Sequence, residues 1–213
     1  CGVQTDGTLW CWGRPQRTTL GVRGLDESDV PVQVGTDTDW DKVYLSAAYN
    51  EPSSCAMKAN GEVYCWGRAR GEETPTQIDG RWKSFDSERR DCGVRTDGTL
   101  WCRGLNLWGE RGDETFSTTP TFQAVGNDTD WNEVTVGGSH TCAIKEGGET
   151  FCFGHNVCGQ LGIGNFPIAT TPTRVSGGGL YGEVSMGDAH VCAVDVSNQL
   201  YCSGSNFAGQ AGL

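Results

Sequence analysis

The chain has 213 residues, with 16 Lys and Arg against 27 Asp and Glu, a net charge of -11, 32 glycines and 11 cysteines. Only 36% is hydrophobic, in runs of a few residues, which excludes a membrane-spanning helix of ~20 apolar residues. The acidic balance argues against a nucleic-acid surface, whose footprint is basic, and the many cysteines point to an oxidising compartment rather than the cytosol.

From the N-terminus, the first element is a unit bounded by cysteines, Cys1-GVQTDGTLW-Cys11. Pro31-VQV then reads as a short strand, and Trp40-DKVYL alternates as another. The unit returns as Cys55-AMKANGEVY-Cys65, followed by strands at Pro75-TQI and Trp82-KSF. Cys92-GVRTDGTLW-Cys102 leads to Pro120-TFQAV and Trp131-NEVTV, and Cys142-AIKEGGETF-Cys152 to Pro172-TRV and Tyr181-GEVSM. Cys192-AVDVSNQLY-Cys202 closes the series, and the five units start 54, 37, 50 and 50 residues apart.

Each unit predicts a β-hairpin, because its centre is a turn pair: Asp6-Gly7, Asn60-Gly61, Asp97-Gly98, Gly147-Gly148 and Ser197-Asn198. A two-residue loop would pair Cys1 with Trp12. A three-residue loop, Thr5-Asp6-Gly7, is a type I turn closed by a left-handed glycine, and it pairs Cys1 with Cys11. Gln4 and Thr8 are then a hydrogen-bonded pair. Counting outward, the cysteines fall on a non-hydrogen-bonded pair with Cα atoms ~4.5 Å apart, within disulfide range. The expected bonds are Cys1–Cys11, Cys55–Cys65, Cys92–Cys102, Cys142–Cys152 and Cys192–Cys202, each contributing at most about 3 kcal/mol in the chain-entropy model. Zinc-ligand cysteine pairs lie much closer together in sequence. Cys158 is left unpaired. On the other face, small residues (Gly2, Ala56, Gly93, Ala143, Ala193) oppose aromatics (Trp10, Tyr64, Trp101, Phe151, Tyr201), a pattern for sheets buried on both faces.

Strand, hairpin and outer strand make four strands per repeat. Many short strands, glycine-rich turns and this period predict an all-β fold, a β-propeller of four-stranded blades. The repeats run roughly 1–36, 37–79, 80–126, 127–176 and 177–213 of a single propeller. One such sheet cannot bury both faces alone, so blades must stack.

These residues resemble the regulator of chromosome condensation repeat family. The best-matching stretch is Gly137-GSHTCAIKEGGETFCFGHNVCGQLGIG, and its Gly-x-Asn-x-x-Gly-Gln-x-Gly segment recurs at Gly204-SNFAGQAG and, weakened, at Gly104-LNLWGERG. Gly13-RPQRTTLG and Gly67-RARGE depart from it. The resemblance implies a seven-bladed ring, of which four to five blades are present here, so the sequence is expected to be part of a longer chain. A closed ring of four or five blades is the alternative. It also implies protein–protein recognition by one face of the ring, and some secreted relatives inhibit enzymes in this way.

The remaining candidates for chemistry are few. Cys158 follows His155 by three residues, but no third orienting group is identifiable, so it reads as a free loop cysteine or a bond to another chain rather than a nucleophile. His140 and His190 occupy one repeat position and read as a repeated structural hydrogen bond. Asp37-Thr-Asp39-Trp-Asp41 and Asp128-Thr-Asp130-Trp-Asn132 open like calcium loops but lack the later glycine and glutamate, and read as polar turns. Asn127-Asp-Thr129 is an N-glycosylation acceptor pattern, and Asn156-Val-Cys158 a rarer form of one. Ser117-Thr-Thr-Pro-Thr121 and Thr170-Thr-Pro-Thr173 have the composition of O-glycosylated segments. Trp108, Phe116 and Phe166 fall in loops and are candidates for stacking on a partner.

No catalytic, metal or cofactor set is expected. The expected function is a non-catalytic extracellular interaction or scaffold module of a secreted or cell-surface protein. Its partners would be other proteins, including other chains of an assembly, with no nucleic acid and no membrane insertion by this segment. A carbohydrate-binding propeller is the alternative. Guanine-nucleotide exchange on a small GTPase, the founding activity of the family, is disfavoured by the charge and the cysteines, and no segment carries the exchange residues.

Overall fold

A computed structural model describes residues 1–13, 20–25, 27–46, 53–67, 71–164 and 167–212. The regular structure among them is β-strand throughout. The first sheet has three strands, β1 (Gly2–Val3), β2 (Leu9–Gly13) and β3 (Ser28–Gln33). Three four-stranded sheets follow. They are β4 (Trp40–Leu45), β5 (Ser53–Lys58), β6 (Val63–Gly67) and β7 (Glu72–Ile78); β8 (Trp82–Ser87), β9 (Arg90–Arg95), β10 (Leu100–Gly104) and β11 (Thr119–Ala124); and β12 (Trp131–Val136), β13 (His140–Lys145), β14 (Thr150–His155) and β15 (Ile168–Arg174). The last sheet has β16 (Tyr181–Met186), β17 (His190–Asp195) and β18 (Leu200–Gly204). Neighbours in sequence are neighbours in every sheet, so each is a meander forming one propeller blade.

The hairpins adopt the three-residue-loop register. Cys92 lies opposite Cys102 and Gly93 opposite Trp101, with the equivalent pairs in the other blades. All five disulfides are formed, with Cα atoms 4.0–4.2 Å apart. The turn differs from expectation in one bond. Gln4 donates to Thr8 at 2.9 Å, but the Gln4 carbonyl accepts from Gly7, and the Thr8 amide turns to Asp6 Oδ1 at 3.0 Å. A short Asp side chain thus satisfies the amide that the left-handed glycine displaces from the ladder.

That turn glycine also joins one blade to the next. The Gly7 carbonyl accepts the Trp40 amide at 3.1 Å, Gly98 that of Trp131 at 3.1 Å, and Gly148 that of Tyr181 at 2.8 Å. In each case the donor opens the first strand of the following sheet. Each outer strand carries a proline, Pro31, Pro75, Pro120 or Pro172, which removes a ladder donor from the free edge.

The chain gathers into two compact units, residues 1–82 with 87–89, and residues 83–86 with 90–213. In the first, Leu9, Cys11, Leu20, Val34, Trp40, Ala56 and Trp66 form the core. In the second, the core runs through three blades and includes Leu100, Val125, Trp131, Phe153 and Leu161. The last sheet departs from the expected two-sided burial. Leu200 and Tyr201 are exposed, because β18 is an edge strand and no described sheet packs beyond it.

Gly98 has φ +80, and a Cβ there would lie 2.0 Å from the Thr129 carbonyl oxygen. Gly126 has a similar φ of +66 with nothing within 4 Å. Gly98→Ala is therefore expected to cost upwards of ~3 kcal/mol, from backbone clash and strain together, and Gly126→Ala only ~1 kcal/mol. Urea unfolding of the two variants measures the difference.

Candidate functional site

Three loops on consecutive blades of the second unit share one construction. Each follows the third strand of its blade, at the end opposite the hairpin turn. In the loop after β14, buried Asn156 accepts the Leu161 amide at 2.9 Å and donates to the Gly164 carbonyl at 3.1 Å. Asn106 does the same after β10, accepting from Arg111 at 2.9 Å and donating to the Thr115 carbonyl at 2.7 Å. Asn206 accepts from Ala211 at 2.9 Å after β18. The repeat Glu or Gln then caps the loop from inside: Glu110 accepts the Trp108 amide, Gln160 that of Cys158, and Gln210 that of Ala208, at 2.7–2.9 Å. Gly109, Gly159 and Gly209 take φ of 75–77, which makes the tight turn between them possible.

With both polar residues of the motif turned inward, the two residues after the Asn point out. Leu107, Val157 and Phe207 hold the same place and are 62%, 67% and 97% exposed. Trp108 is half exposed and packs at a tilt of 60° against His155 at the end of β14 on the next blade, with ring centroids 4.9 Å apart. The Glu110 carbonyl accepts from Thr141 of the next blade at 2.7 Å, so the loops are braced on their neighbours. The outcome is a row of apolar tips on fixed supports. Sequence reasoning picked out Trp108 and Phe116, both exposed, but not Leu107, Val157 or Phe207. The available signal was their place directly after the repeat Asn. Phe166 lies outside the described residues.

The other candidates sort differently. Cys158 is the free cysteine among the described residues and is exposed. His155 Nδ1 is engaged by Gln160 Nε2 at 2.8 Å, so it is held as part of the loop rather than as a base for a thiol. Asn127 is exposed at the corner before β12. Among the described residues no group of three His, Cys, Asp or Glu could hold a metal ion.

The two acidic loops hold a lysine each. Lys145 Nζ lies 2.7 Å from Asp128 and 3.0 Å from Asp130, above the rings of Trp131 and Phe151. Lys58 repeats this with Asp37 at 2.7 Å, Asp39 at 2.9 Å, Trp40 and Tyr64. Burial lowers the pKa of both ammonium groups, but the carboxylate hydrogen bonds outweigh it and raise them above the usual lysine range.

The expected histidine hydrogen bond is absent at His140. Its ring is fully buried, and neither nitrogen has a hydrogen-bond partner. What repeats instead is packing of the ring on a glycine three residues earlier: a Cβ on Gly137 would lie 2.7 Å from His140, and one on Gly187 2.2 Å from His190. Arg90 takes the equivalent place one blade earlier. It is buried and donates to Thr141 Oγ1, the Gly137 carbonyl and the His140 carbonyl. Burial, and then the Arg90 charge, push the His140 pKa down to about 3, while the His190 backbone pulls the other way.

Two outcomes follow from these contacts. Since lysines already occupy the acidic loops, calcium and a chelator should both leave the melting temperature unchanged, whereas Lys145→Met should cost about 1 kcal/mol. For His140, the unfolded chain binds a proton near pH 6.5 and the folded chain only near pH 3. Its contribution is therefore complete above about pH 6.5 and is lost as pH falls towards 3, on the order of 5 kcal/mol in full. Denaturant titrations across this range should show the slope, and His140→Gln should flatten it.

Comparison with known proteins places this arrangement. The family model of the regulator of chromosome condensation (RCC1) repeat matches residues 131–160 and 183–210. No curated protein matches the sequence. Among solved structures, human WBSCR16 is similar with a TM-score of 0.76 at 18% identity, covering 91% of this chain and 54% of that one. Yeast RCC1 (Prp20), solved bound to Kap60, is similar with a TM-score of 0.73 at 17% identity, covering 95% and 53%. The CRINKLY WD40 ectodomain of the Arabidopsis thaliana receptor kinase ACR4 gives 0.54 at 16% identity, covering 82% and 60%. The chain thus spans a little over half the length of these structures. The matched repeats fall on the two blades that carry the Asn156 and Asn206 loops, and the chain as a whole shares the propeller-blade fold of these structures.

Proposed function

We propose that this chain is a non-catalytic protein-binding module of a secreted or cell-surface protein, and that it binds through the row of loop tips Leu107, Trp108, Val157 and Phe207. The observation that carries this reading is the same exposed apolar position on three consecutive blades, each held by a hydrogen-bonded Asn. Isolated exposed apolar residues are ordinary, but a repeated row on rigid loops is a docking surface. The similar fold of yeast Prp20, which was solved bound to the protein Kap60, supports a protein partner. Five disulfides support folding in an oxidising compartment. Exposed Asn127 is a suitable glycan acceptor in that setting.

The test replaces Leu107, Trp108, Val157 and Phe207 together by Ser. Because these side chains face solvent, the variant should keep its melting temperature within a few degrees. It should lose at least tenfold in capture of the partner crosslinked from the native secretion or cell surface. Unchanged capture, or capture of a nuclear GTPase by the parent chain, overturns the reading.

A further inference from the structure

Three outer strands carry the same tripeptide. Thr74-Pro75-Thr76 lies in β7, Thr119-Pro120-Thr121 in β11 and Thr171-Pro172-Thr173 in β15. Each strand is the last of its sheet and is paired on one side only. A spacing of two on a strand sends both threonines of a tripeptide to the same face. Thr76, Thr121 and Thr171 are exposed, and the other three are partly so. The hydroxyl bonds stay within the strand. Thr76 donates to the Thr74 carbonyl at 3.3 Å, Thr173 to the Thr171 carbonyl at 3.1 Å, and the Thr119 and Thr121 hydroxyls meet at 3.0 Å. These hydroxyls therefore brace no other element.

Threonine alone is ordinary in a strand. The proline between two threonines is not, because it gives up a backbone donor. Edge strands are protected from pairing with another chain by proline and by charged side chains. The charge is thin here: β7 has Glu72 and Glu73, β15 has Arg174, and β11 has none. An exposed, extended edge with so little charge needs a further cover. Threonine and proline together are also the composition of segments that carry O-linked sugars.

We propose that the three tripeptides are O-glycosylation sites, with Thr76, Thr121 and Thr171 as the acceptors. The enzyme is a glycosyltransferase that uses a phosphate-activated sugar. Threonine Oγ1 attacks the anomeric carbon and a glycosidic bond forms. The bond from that carbon to the phosphate oxygen breaks, the phosphate leaves with the electron pair, and the hydroxyl proton passes to a base of the transferase. The attached sugars stand along the free edges and keep a second chain from pairing there. The proposal rests on the secreted setting argued above, and not on the loop tips.

Mass mapping of the protein purified from its native source tests it, after enzymatic removal of any sugar on Asn127. Tryptic cleavage of the reduced chain releases the tripeptides in residues 71–81, 112–145 and 146–174. Each peptide should carry hexose or N-acetylhexosamine mass, and fragmentation should place it on the three named threonines. Thr74→Val with Thr76→Val should remove it from the first peptide alone and keep the melting temperature within a few degrees. Enzymatic removal of the O-linked sugars should turn a monodisperse sample into one that associates, read by light scattering, and unchanged scattering overturns the role at the edge. The disulfide count of the same sample separates the two readings. Five disulfides with bare peptides overturn the glycan sites alone, and free thiols throughout overturn the secreted setting as well. Phosphate in place of sugar, or sugar confined to other serines and threonines, also overturns the sites.

Discussion

The structure depends on one contact: the carbonyl of a left-handed turn residue takes the first amide of the next blade. At Gly98 this residue must have φ near +80 and no side chain, because the following backbone passes within the space of a Cβ. The residue whose amide closes one hairpin tip on Arg95 therefore also starts the next sheet, its carbonyl accepting from Trp131. The aromatic at that start packs against the aromatic of its own hairpin, edge to face at 5.5 Å for Trp131 and Phe151. Lysine 145 is then held over both rings by the two aspartates that precede the strand. Backbone, aromatic and ionic contacts thus agree at the Trp40 and Trp131 junctions, which is the consistency expected of a sequence with a single folded state.

The opposite end of the blades obeys a different rule. There the loops are tied by side-chain amides instead of strand ladders, and the hydrogen-bonded Asn at their root lets the outer residues vary. Leu107, Val157 and Phe207 differ in size and shape, yet each rests on the same hydrogen bonds. A surface of this kind keeps its geometry while its chemistry changes from one blade to the next, which suits recognition.

Hairpins and strands were legible in the sequence because they follow a period of two with cysteines at fixed places. The register of Cys92 and Cys102 came from the turn glycine alone. The lysines in the acidic loops were not legible. Lys58 and Lys145 lie 21 and 17 residues from their first aspartate, and the Asp-Thr-Asp-Trp pattern by itself suggests a cation without saying which. The same holds for His140, whose place in the repeat was visible but whose burial beneath a glycine was not.

The disulfides carry a consequence for how the chain is made. Every bond joins cysteines 10 residues apart within one hairpin, and none ties one blade to another. Oxidation can therefore proceed hairpin by hairpin as the chain emerges, with no long search for a partner, and a blade can be gained or lost in evolution without orphaning a thiol elsewhere. Cys158 is the exception to this tidiness: following Cys152 closely in sequence, it is the thiol best placed to compete for a partner that belongs to Cys142.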